Sequence, residues 1–261
     1  MNKAPSSGNL YESDELLSQY LLFHYGNREE VLSWKSGPVE GLDFPIRTVN
    51  ALLDKTRLPH VSQALDLGCA VGRSTFELAR YCQQVTGIDL SHTFIQAANT
   101  LLQQGSLQFA FPVEGKITQK TTISRPPDIT PDSIRFQTGD ACNLSLDLPV
   151  YDVVHMANLL DRLPSPRHCL NRLPNLVKPG GQLLLTSPFT WLEQFTPEEK
   201  WLGGIYRNGS PVTTQDALQE ILSPAFELDF TTDLPFVIRE HARKYQWSVA
   251  SASRWVRRSQ E

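Results

Sequence analysis

The chain has 261 residues, 40% of them apolar and 20% charged, with a net charge of −4 at pH 7. This is enough to bury one large core, or a core plus a small appendage, and the proportions are those of a globular protein. The mildly negative balance argues against a nucleic-acid partner, which needs a basic surface, and no run approaches the roughly 18 apolar residues that span a bilayer. Residues 1–10 carry no hydrophobic region, so they read as a disordered tail rather than a secretory signal, and a cytoplasmic protein without a membrane partner is expected. Cys69, Cys82, Cys142 and Cys169 are widely spaced and form no C-x-x-C pair. Free thiols are therefore expected, and no metal.

Ser13 stands as an N-cap with Asp14 and Glu15 in the first turn. Leu16, Leu17, Tyr20, Leu21 and His24 then recur at helical spacing, predicting a helix that ends near Gly26. A second helix is expected at 45–55. From 63 onward strands and helices alternate, with strands at 63–67, 85–89, 134–138, 151–156 and 181–187. The helices fall at about 73–82, 92–103 and 166–177. This is the βαβα pattern of a parallel sheet with helices on both faces. Lys178-Pro-Gly-Gly181 reads as a turn feeding the fifth strand. After a helix at 214–222, alternation at 226–230 and 246–256 predicts two closing strands at an antiparallel edge. One segment, 104–133, is too long for a plain connection. Its strand-like runs 107–111 and 116–123 flank Glu114-Gly115 and predict an inserted β-hairpin, which would cover the active site, make a subunit contact or only decorate the edge.

The stretch Ala64-Leu-Asp-Leu-Gly-Cys-Ala-Val-Gly-Arg-Ser74 carries the most chemistry. A strand runs into a glycine turn and then a helix. Gly68 and Gly72 let the backbone bend and a ligand approach closely, and the helix start offers free N–H groups. A dinucleotide site would show G-x-G-x-x-G. Here the spacing is G-x-x-x-G, which suits a ligand without a pyrophosphate, such as the methionine part of S-adenosylmethionine (SAM). Asp89, seventeen residues past Gly72, ends the second strand, where an acid takes both hydroxyls of a ribose, with Leu90 beside it. Asp66 is expected close to the bound amino group, with Cys69 and Ala70 in the loop. Asp140 and Ala141, after the third strand, are candidates for the adenine. Met156 and Asn158 end the fourth strand, where ligands of open α/β sheets bind.

These core motifs resemble those of SAM-dependent methyltransferases, whose class I fold is a Rossmann-like, seven-stranded, mostly parallel sheet with an antiparallel edge. The flanks resemble something narrower. Leu10-Tyr-Glu-Ser-Asp-Glu-Leu-Leu-Ser-Gln-Tyr-Leu-Leu-Phe-His-Tyr-Gly26, Leu42-Asp-Phe-Pro-Ile-Arg47, the glycine loop and Lys244-Tyr-Gln-Trp-Ser-Val249 are similar to the methyltransferase domain at the C-terminus of ovothiol synthases. The resemblance runs over roughly 10–256 and, without the iron-binding sulfoxide synthase domain, is to a stand-alone version. It implies a single domain over 11–261, with 11–60 as a helical substrate cap. It also implies methylation of a ring nitrogen of 5-thiohistidine (4-mercaptohistidine) to give ovothiol A, with the thiohistidine supplied by a separate sulfoxide synthase.

Such a reaction asks the protein to align two reactants and exclude water. It must also fix the imidazole tautomer and keep the more nucleophilic thiolate away from the methyl group. Candidates for contact with the reacting ring are Asn158, Tyr11, Tyr20 and His24. Tyr25, Asp161, Arg162, Tyr206, Arg207, Arg239 and Tyr245 are candidates for the rest of the substrate, and Arg47 for a carboxylate, of SAM or substrate. Each has a packing or surface alternative, notably Tyr20 and His24, one turn apart on an apolar face. Two other functions stay open: methylation of another small amine, phenol or acid, and SAM binding without turnover in a regulatory protein.

Overall fold

The computed structural model describes residues 10–259, so the expected disordered tail lies outside it apart from Leu10. A 3-10 turn at Leu10–Glu12 leads into α1 (Asp14–Tyr25), whose N-cap Ser13 accepts from the Leu16 N–H at 3.3 Å. The short α2 (Arg28–Val31) starts in a capping box between Asn27 and Glu30. Next comes α3 (Phe44–Leu52), which stops short of the predicted residue 55 because Asp54 caps a separate 3-10 turn, Lys55–Arg57.

The alternating region then supplies β1 (Gln63–Leu67), α4 (Arg73–Leu78), β2 (Gln84–Asp89) and α5 (His92–Gln104). After these come β3 (Ser106–Glu114), β4 (Ile117–Ser124), β5 (Ile134–Thr138), β6 (Tyr151–Ala157), α6 (Pro166–Arg172) and β7 (Val177–Ser187). The chain closes with a small hairpin, β8 (Ile205–Arg207) and β9 (Ser210–Val212), then α7 (Thr214–Leu222), β10 (Phe226–His241) and β11 (Lys244–Arg257).

Seven strands form one sheet in the order β10-β11-β7-β6-β1-β2-β5. The five from β7 to β5 are parallel, and β11 and β10 add the antiparallel edge. The alternation of side chains sorts the core onto two faces. Ala64, Val153 and Leu184 join Phe76, Phe94 and Leu101 on one face, while Leu65, Val154 and Leu183 meet Leu170, Leu218 and Trp255 on the other.

The structure corrects the predicted elements in three places. Lys178-Pro-Gly-Gly181 lies inside β7, as an irregularity where Tyr151 pairs with Val177 but Val153 already pairs with Gln182. Helices α4 and α6 are shorter than expected, ending at Leu78 and Arg172. Most consequentially, β10 does not end near Phe230 but runs for 16 residues and turns tightly into the 14-residue β11. Only Ser251–Val256 of β11 pairs with β7, so 234–250 is a two-stranded extension projecting past Ser187, at the carboxyl end of β7. Asp233 and Pro235 interrupt the alternation there, which made the segment read as a loop.

The predicted inserted hairpin is β3–β4. It contributes the fully buried Phe111 to a small cluster with Leu22, Val31 and Val237, joining α1 and α2 to the β10–β11 extension. Arg239 fastens the same junction. It lies over the Phe111 ring, 4.9 Å from its centroid, and donates to the Glu30 and Pro112 carbonyls. Arg239 is therefore a clamp between segments and not the substrate ligand expected from sequence. Arg239→Ala should destabilise the fold by about 2 kcal/mol in urea titrations, because two partly buried carbonyls lose a charged donor. It should leave SAM affinity within about twofold in calorimetry, since the clamp donates to the fold and not to a ligand.

Candidate active site

The turn after β1 takes a backbone course open to few residues. Gly68, Ala70 and Gly72 all have positive φ, of 76°, 47° and 88°. A Cβ on Gly68 would sit 2.9 Å from Leu159 Cδ1, and one on Gly72 would sit 2.5 Å from Phe136 Cζ. Ala70 holds the left-handed conformation despite a cost of about 1–2 kcal/mol for a residue with a Cβ. Its N–H is drawn to Asp89 Oδ2 at 2.9 Å, while Asp89 Oδ1 accepts from Ser91 N–H at 2.9 Å. The acid that ends β2 thus sets the shape of the loop that ends β1. Burial pushes the Asp89 carboxyl up to about 6, against the pull of those two N–H groups.

Asp66 is not at the ligand, as the sequence suggested, but beneath the loop. It is 1% exposed. Its Oδ2 accepts from Ser74 Oγ (2.8 Å) and Thr75 Oγ1 (2.6 Å), and its Oδ1 meets His155 Nδ1 at 2.8 Å. On the far side His155 Nε2 lies 3.0 Å from Thr48 Oγ1 of α3. Burial alone would raise this carboxyl, yet the His155 imidazole and the two hydroxyls hold it below the usual range.

Above the loop lies a cavity of about 300 Å³ at the carboxyl ends of the parallel strands. Its donor half is lined by Gly68, Ala70, Asp89, Leu90, Asp140 and Ala141. Asp140 Oδ1 accepts from the Cys142 N–H at 2.8 Å, and its Oδ2 has no protein partner among the described residues. Two side-chain-poor loop positions, an acid for vicinal hydroxyls and a second acid for an amino group form a cradle that fits the ribosyl adenine of SAM. The other half is lined by Tyr11, Tyr20 and His24 from the N-terminal segment, by Asn158 and Arg162 after β6, and by Phe236, Ile238, Gln246 and Ser248 from the strand extension.

The N-terminal segment is fixed over this cavity from several sides. Glu12 accepts from the His92 and Thr93 N–H groups at the start of α5 (2.9 and 3.1 Å), and Ser91 Oγ donates to the Tyr11 carbonyl at 2.9 Å. Tyr11 packs among Tyr20, Phe94 and Phe195 at centroid distances of 5.9–6.1 Å. Burial raises both Tyr11 and Tyr20, and it holds the His24 imidazole down to about 3. His24 Nδ1 is sealed from solvent without a hydrogen-bond partner among the described residues. All three side chains are accordingly neutral at physiological pH. Arg162 donates to Asp161 Oδ2 (3.0 Å) and to the Thr190 carbonyl (2.9 Å), and stands 4.8 Å from the Phe195 ring centroid.

The remaining sequence candidates do not reach the cavity. Tyr25 donates to the Val71 carbonyl at 2.8 Å and so anchors α1 to the glycine loop. Arg47 binds the Leu42 and Pro235 carbonyls, tying α3 to β10. Cys69 and Met156 are buried in the two faces of the core, and Gly72 serves as the N-cap of α4. Asp161 is fully buried against Ser187 Oγ (2.9 Å) and Thr190 N–H (3.1 Å), where it orients Arg162. Tyr206 and Arg207 lie exposed on the β8–β9 hairpin, and the Tyr245 hydroxyl donates to the Ala242 carbonyl at 3.1 Å. Missed by sequence reading were Phe236, Ile238, Gln246 and Ser248. Their alternation along 234–249 was the available signal, since residues two apart share a face.

Residues 65–185 match the family described as "Methyltransferase domain". The ubiquinone biosynthesis O-methyltransferase of Coxiella burnetii is 25% identical over 144 residues, 52% of this chain and 51% of that protein. The protein of the same name from Xanthomonas oryzae pv. oryzae is 27% identical over 188 residues, 71% of this chain and 65% of that protein. The chain thus spans between about half and just under two thirds of the length of these curated relatives. A solved SAM-dependent methyltransferase from Methanosarcina mazei is 19% identical, with a TM-score of 0.53 over 78% of this chain and 96% of that one. The chain has the class I SAM-dependent methyltransferase fold, and the family match falls on its residues 65–185. At the level of particular proteins, the curated relatives carry the name of an oxygen-methylating enzyme. The family match covers the strands and loops that line the donor half of the cavity and stops before the β10–β11 extension that lines the other half.

Asp89→Ala should weaken SAM binding about a hundredfold in calorimetry, through loss of two charge-assisted hydrogen bonds. The ionised carboxylate is the form that would accept both ribose hydroxyls of bound SAM, and its folded value stands at about 6 against 3.8 for an ordinary aspartate. Affinity should therefore fall about tenfold per pH unit below pH 6. The same shift acts oppositely on the ligand-free fold. The folded state holds this proton more tightly than the unfolded state, so the group's contribution to stability is lost as pH rises through 6. Separately, Gly72→Ala should cost at least about 2 kcal/mol of unfolding free energy, from the Phe136 clash and the positive φ together.

Proposed function

We propose that this protein is a SAM-dependent N-methyltransferase whose acceptor is a ring nitrogen of 5-thiohistidine, giving ovothiol A. The observation that carries the reading is the composition of the acceptor half of the cavity. It is built by the N-terminal helix and the β10–β11 extension, which contain two of the segments that resemble ovothiol-synthase methyltransferase domains. It also offers neutral groups rather than a base: Tyr11 and Tyr20 are raised by burial and His24 is held down to about 3. A ring nitrogen with a lone pair needs no base before it attacks. A phenol or catechol hydroxyl, ionising near 10, would need one. This favours nitrogen over the oxygen acceptor named in the curated relatives.

In this reading the bound SAM supplies an activated methyl group. The ring nitrogen's lone pair forms the N–C bond while the S–C bond breaks and leaves its electrons on sulfur. The ring takes over the positive charge and then releases the proton on its other nitrogen. The protein's part is alignment, which contributes several kcal/mol when the reactants are held in line. Tyr11, Tyr20 and Phe94 close one side of the cavity against water. Arg162, already oriented by Asp161, presents a cation for the substrate carboxylate.

The test is incubation of the pure protein with SAM and, separately, 5-thiohistidine, histidine and a catechol, with products read by mass spectrometry and NMR. An N-methyl product from thiohistidine alone is expected. Turnover of the catechol with none of thiohistidine would favour the oxygen acceptor. SAM binding with no turnover of any of the three would favour a regulatory protein.

A further inference from the structure

Thr186, buried in β7, reaches Asn158 at the cavity floor in more than one way. The Asn158 N–H donates to the Thr186 carbonyl at 2.8 Å and approaches its hydroxyl at 3.2 Å, while the hydroxyl donates to Asn158 Oδ1 at 2.9 Å. A threonine hydroxyl has a single proton. With the Asn158 N–H occupying one of its lone pairs, that proton is left for Oδ1, which defines the oxygen end of the carboxamide. Asn158 also sits at φ 51°, the left-handed region that asparagine tolerates better than most residues, so its backbone and side chain are held by the same neighbour. The amide nitrogen Nδ2 has no protein partner among the described residues, and the side chain lines the cavity. An acceptor atom of the substrate is the complement of such a group.

We propose that Thr186 is a positioning residue: it turns the Asn158 carboxamide so that its N–H donors meet the thiolate sulfur of the acceptor and leave the ring nitrogen as the nucleophile. The inference rests on the thiohistidine reading and deepens it. Both sites on the substrate can displace the same methyl group, forming either an N–C or an S–C bond as the donor's S–C bond breaks, and the sulfur is the stronger nucleophile. Hydrogen bonds to the thiolate lower its reactivity and hold it off the transfer line. A carboxamide turned the other way would present an oxygen to an anion and repel it. No other contact of Thr186 requires its hydroxyl among the described residues, so the hydroxyl serves the orientation of Asn158.

The test compares wild type, Thr186→Val, Thr186→Ser and Asn158→Asp for SAM affinity, kcat, KM and the ratio of N-methyl to S-methyl product. Thr186→Val keeps the shape and removes the hydroxyl. Asn158→Asp keeps the bond to Thr186 and removes both N–H donors, so it decides the matter even if the valine variant folds poorly. Expected are SAM affinities within about twofold of wild type, a fall in kcat of about tenfold or more, and a rise in S-methyl product for Thr186→Val and Asn158→Asp, with Thr186→Ser close to wild type. An unchanged product ratio in Asn158→Asp, or in folded Thr186→Val, overturns the inference while leaving N-methylation intact. Absence of N-methyl product from the wild type overturns the thiohistidine reading itself.

Discussion

The arrangement of this molecule depends on a carboxylate that has no access to water. Asp66 lies at the end of the central strand, and an unpaired charge there would cost several kcal/mol. Satisfying it takes two hydroxyls from the first turn of α4 and the imidazole of His155 on the neighbouring strand, which leans on Thr48 of α3. These bonds draw β1, α4, β6 and α3 to one point. They fix where α4 begins relative to β1, and so the path that residues 68–72 must take between them. The three positive-φ positions follow from that path, as does the approach of the Ala70 N–H to Asp89. The donor site is then a surface laid over a saturated polar core.

The acceptor side is built differently. It relies on segments far apart in sequence meeting over the open end of the sheet. The N-terminal helix is bolted by Glu12 to α5 and by Tyr25 to the glycine loop, while the strand extension leans on α1, α3 and the inserted hairpin through Phe236, Val237 and Arg239. The hairpin lines none of the cavity, and its place in the architecture is to support the two elements that do. Specificity can then change by altering these attached segments without disturbing the donor half, which is consistent with a family match confined to 65–185.

Much of the donor half was legible because its constraints are local. A glycine at positive φ, an acid at a strand end and an apolar run before a helix each leave their mark within a few residues, and Gly68, Ala70, Asp89, Leu90, Asp140 and Ala141 were found that way. Where sequence reasoning failed, it assigned ligand roles to groups that the fold uses for itself. Arg47 and Arg239 have the chemistry of carboxylate clamps, but both spend it on backbone carbonyls of β10 or its neighbours. Asp66 and Asp161 have the chemistry of ligands, but each is enclosed by hydroxyls and N–H groups. Nothing in the identity of a charged residue says whether its partner will be solute or protein, because that depends on which other segments the fold brings beside it.

The sequence by itself determined the order of strands and helices, the parallel sheet with its antiparallel edge, and several of the residues that line the donor half of the cavity, because periodicity and turn chemistry act over short spans. Only the tertiary structure decided that β10 and β11 outrun the sheet, that Phe236, Ile238, Gln246 and Ser248 face Tyr11 and His24 across one cavity, and that Thr186 aims Asn158. Those are contacts between segments brought together by burial of a shared core, and no local pattern encodes which distant surfaces such burial will juxtapose.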